Sequence, residues 1–129
     1  MGTDRARPHD ALTETIIECI IPVHRILGPG FLESVYQNAL EIELRQQNLK
    51  IEKEKEVTIE YRGEIVGRHR LDLVVESSII IELKTVEALS KAHYAQLRSY
   101  LAASGLTFGI LVNFSEFKAD FRRVELTEN

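Results

Sequence analysis

The chain has too little cysteine to staple itself. Cys19 is alone among 129 residues, so no internal disulfide can form. That suits a reducing compartment and leads to the expectation of a cytoplasmic protein. Cys19 lies inside an apolar helical pattern, which predicts a buried, inert thiol. No apolar run approaches the ~20 residues of a membrane span, so no membrane is expected as a partner. Residues 1–9 lack the apolar core of a signal peptide and read as a flexible tail. Positive charge is not in excess: the formal net charge is −4. The surface as a whole is therefore no magnet for nucleic acid, whose binding would need a local basic patch, a metal ion, or both. There is no G-x-S-x-G elbow, and Cys19 sits on an apolar stripe, which argues against a nucleophilic hydrolase. Neither repeats nor low-complexity stretches divide the chain.

What is present suits one globular domain, residues 10–129. The hydrophobic fraction is 44% and the charged fraction 28%, and a chain of this length can bury roughly two-thirds of its unfolded surface. Leu12, Ile16, Ile20, Val23 and Leu27 recur at helical spacing and predict a first helix from about Asp10 to Leu27, capped by Asp10 or Thr13. Pro22 predicts a kink or break within it, and Gly28-Pro29-Gly30 ends it. A second helix is predicted from Phe31 to Gln47, with Leu32, Val35, Tyr36, Leu40 and Leu44 facing inward and Asn48 as a stop. From Lys50 the period changes to alternation, which predicts strands over 50–61, 65–75 and 79–85, with Arg62-Gly63-Glu64 as a turn. A third helix fits Lys91 to Ala103 between Ser90 and Gly105, followed by a buried strand over 106–114 and a short one over 121–126. The order implies an α/β fold: a mixed central sheet of about four or five strands flanked by helices.

The stretch from Arg70 to Lys84 reads as a hairpin, and its loop length decides the chemistry. A three-residue loop, Glu76-Ser77-Ser78, sets Val75 opposite Ile79, Asp72 opposite Glu82 and Arg70 opposite Lys84. One face is then Leu71, Leu73, Val75, Ile79, Ile81 and Leu83, all apolar. The other carries Arg70, Asp72, Val74, Ile80, Glu82 and Lys84. A two-residue loop would split both sets across faces. Two carboxylates at this spacing repel unless a cation sits between them. A hard divalent ion such as Mg²⁺ takes oxygen ligands, stabilises phosphate charge and lowers the pKa of water. The alternative is a solvated ladder of ion pairs, against which the apolar Val74 and Ile80 on the same face argue.

Asp72 followed by Glu82-Leu83-Lys84 resembles the signature of the PD-(D/E)XK nucleases, an acid ahead of Glu-x-Lys on the paired strand. Gly30-Phe31-Leu32-Glu33-Ser34-Val35-Tyr36 reads as GxxExxY, and with the preceding Val23-His24-Arg25-Ile26-Leu27-Gly28-Pro29 it resembles the GxxExxY proteins placed in that superfamily. Gln96 to Tyr100 is similar to the QxxxY motif of RecB-type nucleases. The likeness spans about Thr13 to Phe114, and it implies a single restriction-endonuclease-like domain.

The resemblance also implies roles. Asp72 and Glu82 would ligate Mg²⁺ or Mn²⁺ together with the main-chain carbonyl of Leu83. Lys84 would be the catalytic lysine, and Glu33 would help orient metal or water. Gln96, Tyr100, His93, Tyr36 and Arg70 would lie toward the substrate. For Glu33 the alternative is stabilisation of a helix dipole; for Tyr36, Gln96 and Tyr100 it is packing as satisfied core groups. His24 reads as structural. Leu71 stands where the superfamily's name has proline. Arg62, Arg68, His69 and Arg70, or Lys118, Arg122 and Arg123, could hold phosphates, although charges on strands are by default solvated. The expectation is a metal-dependent nuclease acting on DNA. The alternatives are a non-catalytic nucleic-acid-binding or regulatory module on a nuclease scaffold, and a protein-interaction subunit such as a homodimer.

Overall fold

A computed structural model describes residues 9–115 and 119–126. The elements run α1 (Asp10–Leu27), α2 (Glu33–Gln46), β1 (Ile51–Tyr61), β2 (Glu64–Val75), β3 (Ile79–Lys84), α3 (Lys91–Ser104), β4 (Phe108–Asn113) and β5 (Asp120–Glu125). The five strands form one sheet in the order β1-β2-β3-β4-β5. Neighbours are antiparallel except β3 and β4, which run parallel. A parallel pair needs a long crossover, and α3 supplies it.

Alternation along the central strands feeds two cores. Leu73, Val75, Ile79, Ile81, Leu83, Ile110 and Val112 point to one face, where they meet Ile16, Ile20 and Val23 of α1 and Tyr36, Leu40 and Leu44 of α2. Val74, Ile80, Leu111 and Val124 point to the other, against Leu97 and Leu101 of α3. Each fully buried aliphatic side chain contributes roughly 1.5–3 kcal/mol. Gly109 of β4 lies under α3: a Cβ there would come within 3.0 Å of the Leu97 side chain. The bare glycine is what lets this helix approach the sheet so closely. Cys19 is buried in the first core, and burial pushes its thiol up to about 11, as the apolar stripe predicts.

Turns follow their residues. Arg62 and Gly63 form a two-residue loop with φ of 51° and 82° between the paired Tyr61 and Glu64, the left-handed pair that a twisted hairpin favours. α2 ends before Asn48, whose φ is 59°.

Several expectations need correction. α1 continues through Pro22 without a break. Glu18, four residues back, is exposed, so water can satisfy the carbonyl that proline leaves without a donor. The residue capping α1 is His9, not Asp10 or Thr13. His9 was expected in the tail, yet its ring packs edge-on against Phe108; residues 1–8 lie outside the described residues. α2 starts at Glu33, not Phe31, and Leu32 is 76% exposed and Val35 36% exposed. The buried stripe of α2 is narrower than predicted, and it is carried by Tyr36, Leu40 and Leu44. Among the described residues no helix is long and apolar enough to cross a membrane.

Candidate active site

Three pairs, Val75↔Ile79, Val74↔Ile80 and Leu73↔Ile81, fix the β2–β3 register. It is the register that the three-residue loop demands. Beyond Leu73 the ladder stops, and side chains take over. The Asp72 N–H donates to Glu82 Oε2 at 2.9 Å, and the Leu83 N–H donates to Asp72 Oδ2 at 2.8 Å. Each carboxylate is thus held by the other strand's backbone. Each also keeps one oxygen, Asp72 Oδ1 and Glu82 Oε1, outside these bonds.

The alternation also breaks here. Leu71, expected beside Leu73, packs instead in the α3 core with Val74 and Ile80. Strand counting assumes an unbroken ladder, and between Leu71 and Leu73 the ladder is broken. The same break undoes the expected pairing of Arg70 with Lys84. Arg70 is exposed and lies opposite Glu56 of β1. Lys84 lies opposite Asn113 of β4, and its ammonium donates to Gln96 Oε1 at 3.2 Å.

His69, not Arg70, turns toward the acids. Its ring stacks on Tyr100 with centroids 3.7 Å apart and planes at 9°. Its Nε2 lies 3.4 Å from Glu82 Oε1 without forming a hydrogen bond. The sequence placed His69 in a basic cluster only. Its distance of three residues from Asp72 becomes meaningful only once the strand break is known.

The charges confirm that these groups share one space. Burial, and next the charge of Asp72, push the Glu82 carboxyl up to about 8, against the opposing pull of the Asp72 N–H and Lys84. Burial raises Asp72 as well, while the Leu83 N–H, Lys84 and His69 hold it down. Glu33 is raised by burial and then by Asp72, so the first turn of α2 brings a third carboxylate into the same field. Tyr100 is raised by burial, Glu82 and Asp72. Burial lowers His69.

Other predicted residues serve the scaffold. The Tyr36 hydroxyl donates to the Gly28 carbonyl and accepts from the Phe31 N–H at 3.2 Å, and its ring stacks on Phe114. It clamps the Gly28–Phe31 turn that delivers Glu33; it was expected toward the substrate and is instead fully buried. His93 is likewise corrected: its Nδ1 accepts from the Ser90 N–H at 2.9 Å and caps α3. His24 is buried and stacks on Phe114. Arg68 pairs with Glu56, Arg122 with Asp120 and Arg123 with Asp10, so these cations are spent on surface ion pairs. Arg62 lies over the Tyr61 ring, and Lys118 lies outside the described residues. Unforeseen from sequence is Asn113, fully buried, whose side chain grips both backbone groups of Val86 and so anchors the segment that follows Lys84.

Among the described residues no three His, Cys, Asp or Glu side chains form a ready metal cage. Mg²⁺ does not require one, because it usually keeps several waters and takes one or two carboxylates. The free oxygens of Asp72 and Glu82, their mutual repulsion and the partnerless Nε2 of His69 all fit a small cation at this point.

A mixed sheet between helical layers, with two acids and a lysine where two strands separate, defines an α/β domain built around one acidic site. The chain belongs to the PD-(D/E)XK nuclease superfamily, whose model matches residues 10–124. Among solved structures it is similar to SSO0001, with TM-score 0.59 and 22% identity over 94% of this chain and 61% of that one. The chain therefore spans less than two-thirds of that protein. It is also similar to an alkaline exonuclease, LHK-Exo, from Laribacter hongkongensis. There the TM-score is 0.55 at 13% identity, over 98% of this chain and 73% of that one. A complex of LHK-Exo with dAMP gives TM-score 0.54 at 14% identity, over 97% and 72%. These likenesses establish the shared fold. No curated protein matches the sequence.

Proposed function

We propose that this protein is a divalent-metal-dependent nuclease that hydrolyses phosphodiester bonds, with DNA as its substrate. The observation that carries the reading is the crossed pair of bonds at Asp72 and Glu82. Each acid is fixed by backbone and left with one oxygen free, and Lys84 stands two residues from Glu82 on β3. The superfamily match supports it, as does a structural relative whose complex holds dAMP. The GxxExxY group is the finer placement, since Gly30, Glu33 and Tyr36 act together to form and clamp the turn beside the site.

Asp72 and Glu82, with the Leu83 carbonyl, would hold Mg²⁺ or Mn²⁺. When bound, such an ion supplies Lewis-acid stabilisation of charge on the phosphate and lowers the pKa of water. The residues do the rest. Gln96 accepts from the Lys84 ammonium and aims it, so that its charge can oppose the negative charge developing on phosphorus oxygens. Tyr100 and His69 stack as a wall over Glu82 that excludes water from one side. Glu33 adds a carboxylate on the opposite side of the pair to orient the attacking water. A cytoplasmic setting fits the lone buried cysteine.

The test is a cleavage assay on single- and double-stranded DNA and RNA with Mg²⁺, Mn²⁺ or EDTA. Wild-type protein should cut only with metal. Lys84→Ala and Glu82→Gln should each lose at least about 100-fold in rate. Equal cutting by wild type and both variants would sink the assignment. Salt-sensitive binding without cleavage would instead make the chain a nucleic-acid-binding module on a nuclease scaffold.

A further inference from the structure

We propose that Gln37 is a positioning residue for the acidic pair: it holds Asp72 out of the β1–β2 ladder and so sets the direction of its carboxylate. The inference rests on reading Asp72 and Glu82 as the cation site.

In the β1–β2 ladder Lys53 pairs with Leu73 and Lys55 with Leu71, so Glu54 should pair with Asp72. That pair is absent. Glu54 has φ 49°, a left-handed conformation that costs a non-glycine residue about 1–2 kcal/mol. The strand opposite Asp72 is therefore bent away at this one residue. Backbone groups left inside a protein need partners. Asp72 finds both in side chains: its N–H donates to Glu82 Oε2 at 2.9 Å, and its carbonyl accepts from Gln37 Nε2 at 3.2 Å.

The consequence is visible on either side. Leu71 enters the α3 core and Leu73 the α1–α2 core, although residues two apart on a regular strand share a face. The strand has turned about Asp72. That turn directs Asp72 Oδ2 to the Leu83 N–H. Closing the Glu54 pair would restore the alternation and rotate the carboxylate off Leu83.

Gln37 is the group on the page that prevents this. It lies one helical turn after Glu33 on the same face of α2. The helix thus reaches the site twice, with a carboxylate whose pKa senses Asp72 and with an amide that holds the Asp72 backbone. An amide suits the second task because it donates to a carbonyl without adding charge beside two acids. Residues that orient a metal ligand without touching the metal typically change affinity by about 10–100-fold when removed.

The experiment compares wild type, Gln37→Met, Gln37→Ala and Asp72→Asn. Methionine keeps the length and loses the donor; alanine keeps the helix and guards against a packing failure by methionine. Mn²⁺ affinity is measured by titration calorimetry on the metal-free proteins, alongside their thermal midpoints and the hydrogen exchange of the Asp72 and Leu83 amides. Both Gln37 variants should bind Mn²⁺ at least about 10-fold more weakly. Their Asp72 and Leu83 amides should exchange faster while those of Leu73 and Ile81 do not, and their metal-free midpoints should move by only a few degrees. Wild-type affinity in both variants would overturn the inference, whether or not the midpoint falls, because Gln37 would then only fasten α2 to the sheet. Equal Mn²⁺ binding by wild type and Asp72→Asn, or none by wild type, would overturn the cation site itself and this inference with it.

Discussion

The two ends of the β2–β3 hairpin are built on opposite principles. Next to the turn, Leu73, Val74 and Val75 face Ile81, Ile80 and Ile79 in a regular ladder, every one of them fully buried. One residue further on, the ladder ends, and carboxylates occupy the positions where strand backbones would bond. The first end stabilises by apolar burial. The second places charge in a buried position, which is unfavourable to the fold until something neutralises it. The site exists because the apolar end is strong enough to hold two strands in register while their far ends part.

That contrast can be broken at either end. Ile81→Ala should remove about 2–5 kcal/mol of stability, seen as a large drop in the denaturation midpoint that metal cannot restore. An equal loss from Lys84→Ala would erase the distinction, since Lys84 is half-buried at the edge of the core.

The pH dependence sharpens it next. In the metal-free fold, Glu82 has its pKa raised to about 8 from the model value of 4.5. A raised folded-state pKa means that the folded form holds the proton more tightly. Its contribution is thus fully present below pH 4.5 and is lost as pH rises through about 8. In EDTA, Glu82→Gln should match wild type in mild acid and exceed it in stability at alkaline pH. Adding Mg²⁺ or Mn²⁺ should close that gap from the wild-type side. A gap that widens toward acid would refute the sign.

The smallest effect belongs to the surface. Arg68 and Glu56 pair at 3.1 Å with both side chains largely exposed. Arg68→Ala should change stability by less than about 1 kcal/mol. A larger loss in thermal melts would mean that β1 and β2 beyond the site are more than a solvated ribbon.

Much of this contrast was legible in the sequence, and the illegible part has one cause. The run of Ile79, Ile80 and Ile81 against Leu73, Val74 and Val75 admits one hairpin register, and that register alone brings Asp72 to Glu82. The sheet, its helices and the Gln96–Lys84 neighbourhood follow from period and spacing. Counting from Asp72 outward then failed on Leu71, Arg70 and His69, because a side chain on another element, Gln37, interrupts the ladder. Nothing in the local pattern of β2 announces a partner 35 residues away. Leu32 and Val35 misled for a related reason: they carry the apolar periodicity of α2, but the helix buries the stripe through Tyr36, Leu40 and Leu44.

Gly109 gives the site a dimension that none of its own residues controls. Gln96 and Tyr100 flank Leu97 on α3, and Leu97 rests on the bare backbone of that glycine. The height of the helix above the sheet is therefore set by a missing methyl group. A single added carbon at Gly109 would act as a shim, lifting the hand that aims Lys84 and the ring that backs His69 together. The spacing of the whole catalytic layer can be retuned from beneath, by a residue that touches neither acid, lysine nor substrate.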